Sequence, residues 1–424
     1  MEKVKVIKER LKTAQSHQKS YSDVRRRGLE FQEDDWASPK AEKQSDCLRK
    51  SAMVKPTGVV LEFSGKWIGP ITGGNSGEIF VNSERYWEWA EDVLGGSQQT
   101  LSTPKIYDAV YASLFTYDRN LNILQAFCEA WCPKTNTLLT SVRKLSISLW
   151  DLHILGGLPI AVSPYEEVVP ETRELIGLDE KHIRFIPRSC EYLFDAFHHL
   201  KEENSIHPET FKMASMMASG RKISLAVPVL ASIYHGLNKI SCSSQLDQVK
   251  VYFHIHYVYG WLAHYFKTHY PLAKGSSVPL MVAYSREGAA RYFDEKDARK
   301  CIHNGEDIVW TPTMLTNSRP YYYVDNDAPQ VLKSNYFMSL RFNYLPLTYG
   351  NSFIIEPYSP HRFGRQFGFY QNVPGFLEND IRSASIDERL RFWRICTLYR
   401  SMSRAAFPPT GDPVEKPFST NYLS

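Results

Sequence analysis

The sequence predicts a mainly α-helical fold, with one large helical domain, a few short strands, a flexible N-terminal arm and a C-terminal tail. Apolar residues recur at intervals of three and four in successive segments between residues 105 and 399, which is the spacing of amphipathic helices. The segment Leu225–Ile240 is apolar nearly all round and predicts a buried central helix with a kink at Pro228. Strand-like alternation is confined to short runs.

The composition indicates a globular chain with a sizeable core. Of the 424 residues, 43% are apolar and 13% aromatic, which is ample for such a core. A net charge of +4 is too small to create a strong field, so contact with nucleic acid would need a local basic patch. We find no apolar run of membrane-spanning length and expect no membrane contact. The odd count of seven scattered cysteines favours reduced thiols.

A short segment around Trp150 predicts a compact packing unit. Lys144–Leu149 alternates in polarity and predicts a half-buried strand. Its apolar residues share one predicted face: Leu145, Ile147 and Leu149. A run with helical spacing follows, which Gly156 and Gly157 end and which Pro159 cannot continue. Strand, short helix and glycine stop would form one unit.

This unit also carries a family resemblance. The run LSISLWDLHILGGLPI followed by YEEVVP resembles the plant mobile domain, a family also labelled aminotransferase-like or MAINTENANCE OF MERISTEMS-like. Six further blocks between Tyr86 and Phe407 resemble the family in order: YWEWAEDVL, YDAVYASLFTYDR, FKMASMMASGRKISLAVPVLASIYHGLNKIS, IHYVYGWLAHYFKTHY, ARYFDEKDAR and FIIEPYSPHRFGRQFGF. The family motif falls on five residues of the unit: Trp150, Asp151, Gly156, Gly157 and Pro159.

The resemblance implies a domain organisation. Residues 83–407 would form the plant mobile domain, preceded by a linker over residues 41–82 and followed by a disordered tail over residues 408–424. Relatives carry a long segment between the blocks that correspond to FHHL and PETFKMAS, whereas only Lys201–His207 joins them in this chain. We therefore expect the neighbours of this shortened segment to expose apolar surface, with a risk of instability.

The first 40 residues form a basic arm. Residues 1–27 carry nine Lys and Arg against three acidic residues, a charge of +6. A narrow apolar stripe with helical spacing runs along the arm: Val4, Ile7, Leu11 and Ala14. The segment Val4–Trp36 resembles the end of a gypsy-type retrotransposon integrase, but no Asp-Asp-Glu catalytic set accompanies it. One interpretation is a solvated helix or tail; the other is weak binding of phosphate through residues such as Arg25, Arg26 and Arg27.

A second basic segment, Pro357–Gly368, mixes cations with aromatic residues. His361, Arg362 and Arg365 alternate with tyrosine and phenylalanine, a combination that stacks on bases and pairs with phosphates. The alternative is a turn that caps the core, with arginines lying over aromatic faces. Both interpretations are open at the level of the sequence.

The sequence predicts neither a cofactor nor a metal site. Pyridoxal phosphate chemistry needs a lysine, an acid at the pyridinium nitrogen and a phosphate cup, and no such ordered set is recognisable. Four histidines lie close together, His254, His256, His264 and His269, without the spacing of a metal motif. We therefore expect no enzymatic activity.

The resemblance implies a non-enzymatic nuclear scaffold or adaptor related to factors in transposable-element silencing, genome stability and meristem maintenance. It also implies a phosphatase-like protein as partner, and the basic arm implies an element carried by or fused to a transposon. The alternatives are a decayed transferase, a transposon-derived nucleic-acid enzyme, or a truncated gene product without function.

Overall fold

The computed structural model describes the chain from residue 92 to residue 407 with gaps. The gaps are residues 114, 116, 142–143, 161–162, 198–207, 243–252, 273–278, 286–287, 306–307, 309–320, 325–330, 350–351, 368–384 and 398–403. The predicted arm, linker and tail lie outside the described residues, as do Arg25, Arg26, Arg27 and the shortened segment Lys201–His207.

Helices dominate the described residues, which confirms the predicted mainly α fold. In chain order the α-helices are α1 (Gln98–Ser102), α2 (Tyr107–Ser113), α3 (Leu121–Ala130), α4 (Leu149–Gly156), α5 (Thr172–Ile176), α6 (Arg188–Phe197), α7 (Phe211–Ala218), α8 (Ala226–Cys242), α9 (Ile255–Phe266), α10 (Glu295–Asn304), α11 (Val331–Ser339) and α12 (Ile386–Thr397). Short 3₁₀ helices cover Pro208–Thr210, Leu280–Tyr284 and Pro360–Phe367. Within the described ranges, no helix combines the length and hydropathy that crossing a membrane requires.

The strands form small antiparallel sheets between the helices. They are β1 (Trp131–Cys132), β2 (Thr137–Leu139), β3 (Lys144–Leu145), β4 (Tyr321–Val324), β5 (Tyr344–Tyr349), β6 (Ser352–Pro357) and β7 (Arg404–Phe407). The sheet orders are β1-β2-β3, β4-β7 and β5-β6. In the longest ladder Tyr344 is opposite Pro357 and Tyr349 is opposite Ser352, so β5 and β6 form a tight hairpin.

The long helix α8 lies at the centre of the core. Twelve of its seventeen residues are buried, and it packs against α3, α4, β1, β5 and β6, which confirms the predicted central helix. Pro228 is the third residue of α8 and not an interior residue. The backbone N–H at that position would have no acceptor within the helix, so proline fits the first turn and requires no kink.

Helix α4 begins and ends with strong local signals. Ser148 and Asp151 form a capping box at its start, and Gly157 ends it in the left-handed conformation at φ 71°. The predicted short helix and glycine stop are therefore confirmed. Gly156 has a second role, because a Cβ there would collide with the ring of Tyr257 on α9. The two glycines let α4 approach its neighbours closely.

The predicted half-buried strand before α4 is confirmed only for its first two residues and is buried on both faces after them. Only Lys144–Leu145 pairs as a strand, and the two serines that should face solvent, Ser146 and Ser148, are 0% and 1% exposed. Packed elements cover both sides of the segment, and each serine hydroxyl has a hydrogen-bond partner inside the protein. Alternating polarity therefore reflects internal hydrogen bonds and not a boundary with water.

A second, smaller core holds together what we call the satellite module, defined as residues 164–197 and 208–218. Ile186, Cys190 and Phe211 are its buried centre. A parallel bridge pairs Ser163, just before the module, with Ile223, after it, and α7 packs against α1. The module exposes many large apolar side chains: Val169, Ile176, Leu178, Ile183, Phe185, Tyr192 and Phe197.

We predict that Gly157→Ala destabilises the fold by about 2 kcal/mol or more, because an alanine there adopts a left-handed backbone and also crowds a neighbouring helix. A Cβ at Gly157 would lie 3.0 Å from the backbone nitrogen of Ala109 in α2. Gly95→Ala is the matched control, since a Cβ at Gly95 meets nothing within 4 Å. Urea unfolding measures both variants, and equal midpoints for the two would contradict the prediction.

Candidate functional site

The most polar part of the interior lies at the carboxylate of Asp151, in the family-motif segment. Asp151 is 4% exposed and belongs to the first turn of α4. Its Oδ2 atom accepts hydrogen bonds from the backbone N–H of Ser148 at 2.9 Å and from the Ser148 hydroxyl at 2.8 Å. The Ser148 hydroxyl in turn accepts from the backbone N–H of Asp151 at 3.0 Å. These bonds fix the carboxylate relative to its own helix.

Three side chains from distant elements complete the shell around Asp151. Tyr265 on α9 donates its hydroxyl to Oδ1 at 2.7 Å. Trp261, one turn earlier on α9, donates its indole N–H to Oδ2 at 3.3 Å. Gln366, in the 3₁₀ helix Pro360–Phe367, donates its amide to Oδ2 at 3.0 Å. The carboxylate thus ties α4 to α9 and to the 3₁₀ helix.

Burial and hydrogen bonding act in opposite directions on this carboxyl group. Burial raises the pKa of Asp151 from 3.8 to about 6, while the donors Tyr265, Ser148 and Trp261 each lower it. Ionising this carboxyl group in the interior therefore costs free energy, and the surrounding hydrogen-bond donors offset part of that cost. In this arrangement Asp151 is an anchor for the surrounding segments.

A second set of bonds extends from Ser146. Its backbone N–H donates to the Gln366 side-chain oxygen at 3.0 Å, so one glutamine joins Ser146 and Asp151. The Ser146 hydroxyl lies 2.7 Å from the hydroxyl of Tyr234 on α8, and Tyr234 donates to the Ile147 carbonyl at 2.7 Å. The segment before α4 is therefore fastened to the central helix as well.

A buried polar group also links α8 to the sheets. Asn238 donates to Glu356 at 3.0 Å and to the side-chain oxygen of Asn136 at 2.9 Å, and it accepts from the indole of Trp131 at 2.9 Å. His235 lies 3.0 Å from the other oxygen of Glu356. These contacts fix the position of β6, and hence of the 3₁₀ helix that follows it.

The other motif residues have structural contacts. Trp150 is 6% exposed and meets the ring of Tyr336 edge to face at 5.3 Å. The carbonyl of Pro159, which the sequence marks only as a helix stop, accepts from the backbone N–H groups of Leu225 and Ala226 at 3.0 Å each. Pro159 thereby supplies acceptors for the otherwise unpaired N-terminus of α8.

Each of the four clustered histidines contacts a different partner. His254 bonds the hydroxyl of Ser232 at 3.0 Å, and His256 stacks on Tyr117 at 6.1 Å. His269 contacts the carbonyl of Asp118 at 3.1 Å, and the hydroxyl of Tyr284 lies 3.5 Å from His264. Across the ranges that the structure describes, no group of three His, Cys, Asp or Glu could hold a metal ion.

Burial makes two of these histidines hard to protonate. It lowers the pKa of His254 from 6.5 to about 4 and lowers the pKa of His256 well below its usual range. Both side chains are less than a tenth exposed. They are neutral aromatic members of the core at physiological pH.

The basic aromatic segment does not present its cations together. Arg365 is 5% exposed, and burial lowers the pKa of its guanidinium group. His361 is exposed and Arg362 is partly exposed, whereas Phe363 and Phe367 are buried in the core. Of the three predicted contact residues, only His361 and Arg362 reach the surface. Gln366 bridges Ser146 and Asp151, but as a lone amide in an aromatic run it carries no recognisable sequence signal.

A family model described as "Plant mobile domain" matches residues 192–414, which is more than half of the chain. The match covers α8, α9 and the Gln366 segment, and it starts after the Trp150 segment that resembles the same family. It does not include residues 4–36, where the integrase resemblance lies. No curated protein and no solved structure matches the chain.

We predict that Asp151→Asn destabilises the protein by about 2 kcal/mol, because a neutral amide accepts weaker hydrogen bonds than a carboxylate does. Its one oxygen is required at the Oδ2 position, where the Ser148 backbone N–H and the Trp261 indole donate, so its N–H₂ must face the Tyr265 hydroxyl, which donates to Oδ1 in the wild type. Tyr265→Phe removes one donor only and should cost about 1 kcal/mol. Urea unfolding measures each loss.

The exposed Asp92 supplies the matched control for this change. Asp92→Asn should alter the free energy of unfolding by less than about 0.5 kcal/mol. An Asp151→Asn protein as stable as the Asp92→Asn protein would show that the buried carboxylate is not the anchor described above.

We predict that His254 makes the fold sensitive to acid. Because its pKa is 6.5 when unfolded and about 4 when folded, its contribution to stability is complete above pH 6.5 and is lost as the pH falls towards 4. The loss amounts to about 3 kcal/mol. Asp151 acts in the opposite sense, since its raised pKa favours the folded state as the pH falls from about 6 towards 3.8.

A comparison of variants isolates the histidine from the carboxyl group. The gap in unfolding free energy between wild type and His254→Asn should narrow as the pH falls from 7 to 4. His182→Asn is the control, because His182 is exposed and its left-handed backbone at φ 60° suits asparagine. Its stability curve should run parallel to that of the wild type. A parallel curve for His254→Asn would refute the prediction.

Proposed function

This chain belongs to the plant mobile domain family, and from that premise we propose that it is a non-enzymatic scaffold or adaptor of the nucleus. It would act with factors of transposable-element silencing, genome stability and meristem maintenance. The family itself indicates a plant transposon-related domain. A protein partner of the phosphatase-like class, rather than a small substrate, would be its main ligand.

The observation that carries this proposal is the closed shell of Asp151. Groups that could serve in acid–base chemistry are used here to hold segments together: Asp151 accepts five hydrogen bonds from within the protein. His254 bonds Ser232, and His256 packs between tyrosine rings. Side chains with these internal partners favour a rigid framework that presents a surface to other macromolecules.

A surface suited to a protein partner lies on the main body, at what we call the tyrosine patch: Leu121, Tyr270, Arg291 and Tyr292. These side chains include strongly exposed apolar ones, at 91% for Tyr292, 60% for Leu121 and 50% for Tyr270. The guanidinium of Arg291 lies over the Tyr270 ring at 4.7 Å. Tyrosine and arginine are the residue types that dominate binding energy at protein interfaces.

The backbone beneath the patch is firmly held. Asn120 donates to the Arg291 carbonyl at 2.8 Å, and the backbone N–H of Ala290 donates to the Asp118 carboxylate at 3.1 Å. The tyrosine patch is therefore ordered before any partner arrives, which lowers the entropic cost of binding.

We predict that Tyr292→Ser weakens capture of the phosphatase-like protein from plant nuclei by the tagged full chain. A central tyrosine at an interface contributes about 2 kcal/mol or more, so the captured amount should fall by more than tenfold. Ile395→Ser is the matched control, because Ile395 is 62% exposed and lies elsewhere, on α12. Thermal unfolding should be the same for both variants and the wild type.

Three results would count against the proposed function. Equal capture by Tyr292→Ser and Ile395→Ser would remove the tyrosine patch from it. Absence of the phosphatase-like protein from all captures would remove the partner. A bound pyridoxal chromophore in the absorbance spectrum of the purified protein, or a stoichiometric metal, would replace the scaffold with an enzyme.

A further inference from the structure

The satellite module exposes an apolar face that its own small core does not cover. Seven large apolar side chains between residues 169 and 197 are 46–67% exposed, from Phe197 to Tyr192. Of these, Val169 also lines an open groove of about 490 Å³, together with Pro170, Leu175, Phe194, Asp195 and Pro208. Exposed apolar side chains in such number, in a small module that also holds an open apolar groove, mark a place where another chain segment docks.

The module is also acidic, although the whole chain is basic. It contains nine Asp and Glu against five Lys and Arg, a charge of −4, while the complete chain carries +4. Asp195 lines the groove, and Glu171 and Glu174 are sequence neighbours of the lining residues Pro170 and Leu175. The cation of Arg173 lies 3.9 Å from Glu171. Lys212 offsets part of this charge through Glu174 at 3.3 Å and Glu166 at 4.0 Å. The face would attract a basic, amphipathic partner.

The N-terminal arm has the complementary pattern. Its first 27 residues carry +6. In a helix the apolar stripe Val4, Ile7, Leu11 and Ala14 would extend for about 15 Å, and a row of lysines at positions 5, 8 and 12 would run beside it. An apolar stripe flanked by cations matches an apolar groove flanked by carboxylates.

The course of the chain brings the two together. Helix α1, near the start of the described residues, packs against α7 of the satellite module. The chain therefore reaches the described part of the protein beside the module. The residues between Arg27 and Gln98 are numerous enough to reach the groove, since each residue spans up to about 3.3 Å. Because the arm and the module belong to one chain, the effective concentration of the arm near the module is high.

We propose that the N-terminal arm, residues 4–19, docks as an amphipathic helix on the acidic apolar face of the satellite module of the same chain. Ile7 and Leu11 enter the groove between Val169 and Phe194, and the lysines pair with the surrounding carboxylates. The docked arm covers the exposed apolar side chains and withholds its own cations from polyanions. This contact is independent of the tyrosine patch and of the partner that binds there.

Zero-length carbodiimide cross-linking of the full chain at low concentration tests the contact, because it joins a lysine to a carboxylate only when the two touch. Cross-links from Lys5, Lys8 or Lys12 to Glu171, Glu174 or Asp195 are expected. A mixture of isotopically light and heavy protein identifies links within one chain. In an equal mixture, light–heavy links that make up about half of all links, as random pairing of copies gives, would overturn the proposal in favour of a second copy as the occupant.

A matched pair of variants separates apolar docking from simple charge attraction. Ile7→Ser/Leu11→Ser removes the stripe and keeps every charge, so the cross-links should fall several-fold. Amide hydrogen exchange in residues 169–197 should become several-fold faster, with no change in α8. Val6→Ser/Val24→Ser changes two apolar residues away from the stripe and should behave as wild type. Equal cross-linking in both variants, or no cross-links in the wild type, would overturn the proposal.

Discussion

The carboxylate of Asp151 joins segments that are far apart in the chain. It receives hydrogen bonds from Ser148 in its own capping box, from Trp261 and Tyr265 on α9, and from Gln366 more than two hundred residues later. Burying an ionised carboxylate costs free energy, and the raised pKa of Asp151 reflects that cost. The cost is offset only where the three segments are placed so that all of the donors reach the carboxylate, and this requirement fixes their relative positions.

The remaining polar groups of the interior extend this anchor. Gln366 connects Asp151 to Ser146, Ser146 meets Tyr234, and Tyr234 belongs to the central helix α8. One turn further along α8, Asn238 connects β1 and β6 through Trp131 and Glu356. An aromatic core could pack in several ways at similar cost, whereas a connected set of directional bonds selects one of them.

The interior and the surface of the protein differ in the side chains that they contain. Asp151 and His254 are hydrogen-bonded in the interior, while large side chains such as Tyr292, Tyr192 and Leu121 are strongly exposed. The tyrosine patch rests on the main body, and the apolar face belongs to the satellite module. Two separate surfaces on one framework would allow a partner and the N-terminal arm to bind at the same time.

Local signals in the sequence determined the helices and where several of them end. The spacing of apolar residues predicted the central helix, and the glycine pair predicted the end of α4, because helix periodicity and left-handed backbone preferences depend on a few neighbouring residues. Alternating polarity predicted a half-buried strand over Lys144–Leu149, but Ser146 and Ser148 are buried, and the sequence left two interpretations of Arg365 open. Both cases have one cause: whether a polar residue faces water or a buried partner depends on what packs over it.

Tertiary structure alone decided the site. The residues around Gln366 in the sequence do not indicate its two partners, Ser146 and Asp151. The close approach of Gly156 to the Tyr257 ring depends on how α4 and α9 cross. The apolar spacing of α6 predicted an amphipathic helix, but only the fold shows that its neighbours leave Tyr192 and Phe197 exposed. Sequence determines which segments can be helices, and the long-range bonds and close approaches between those helices exist only once the chain has folded.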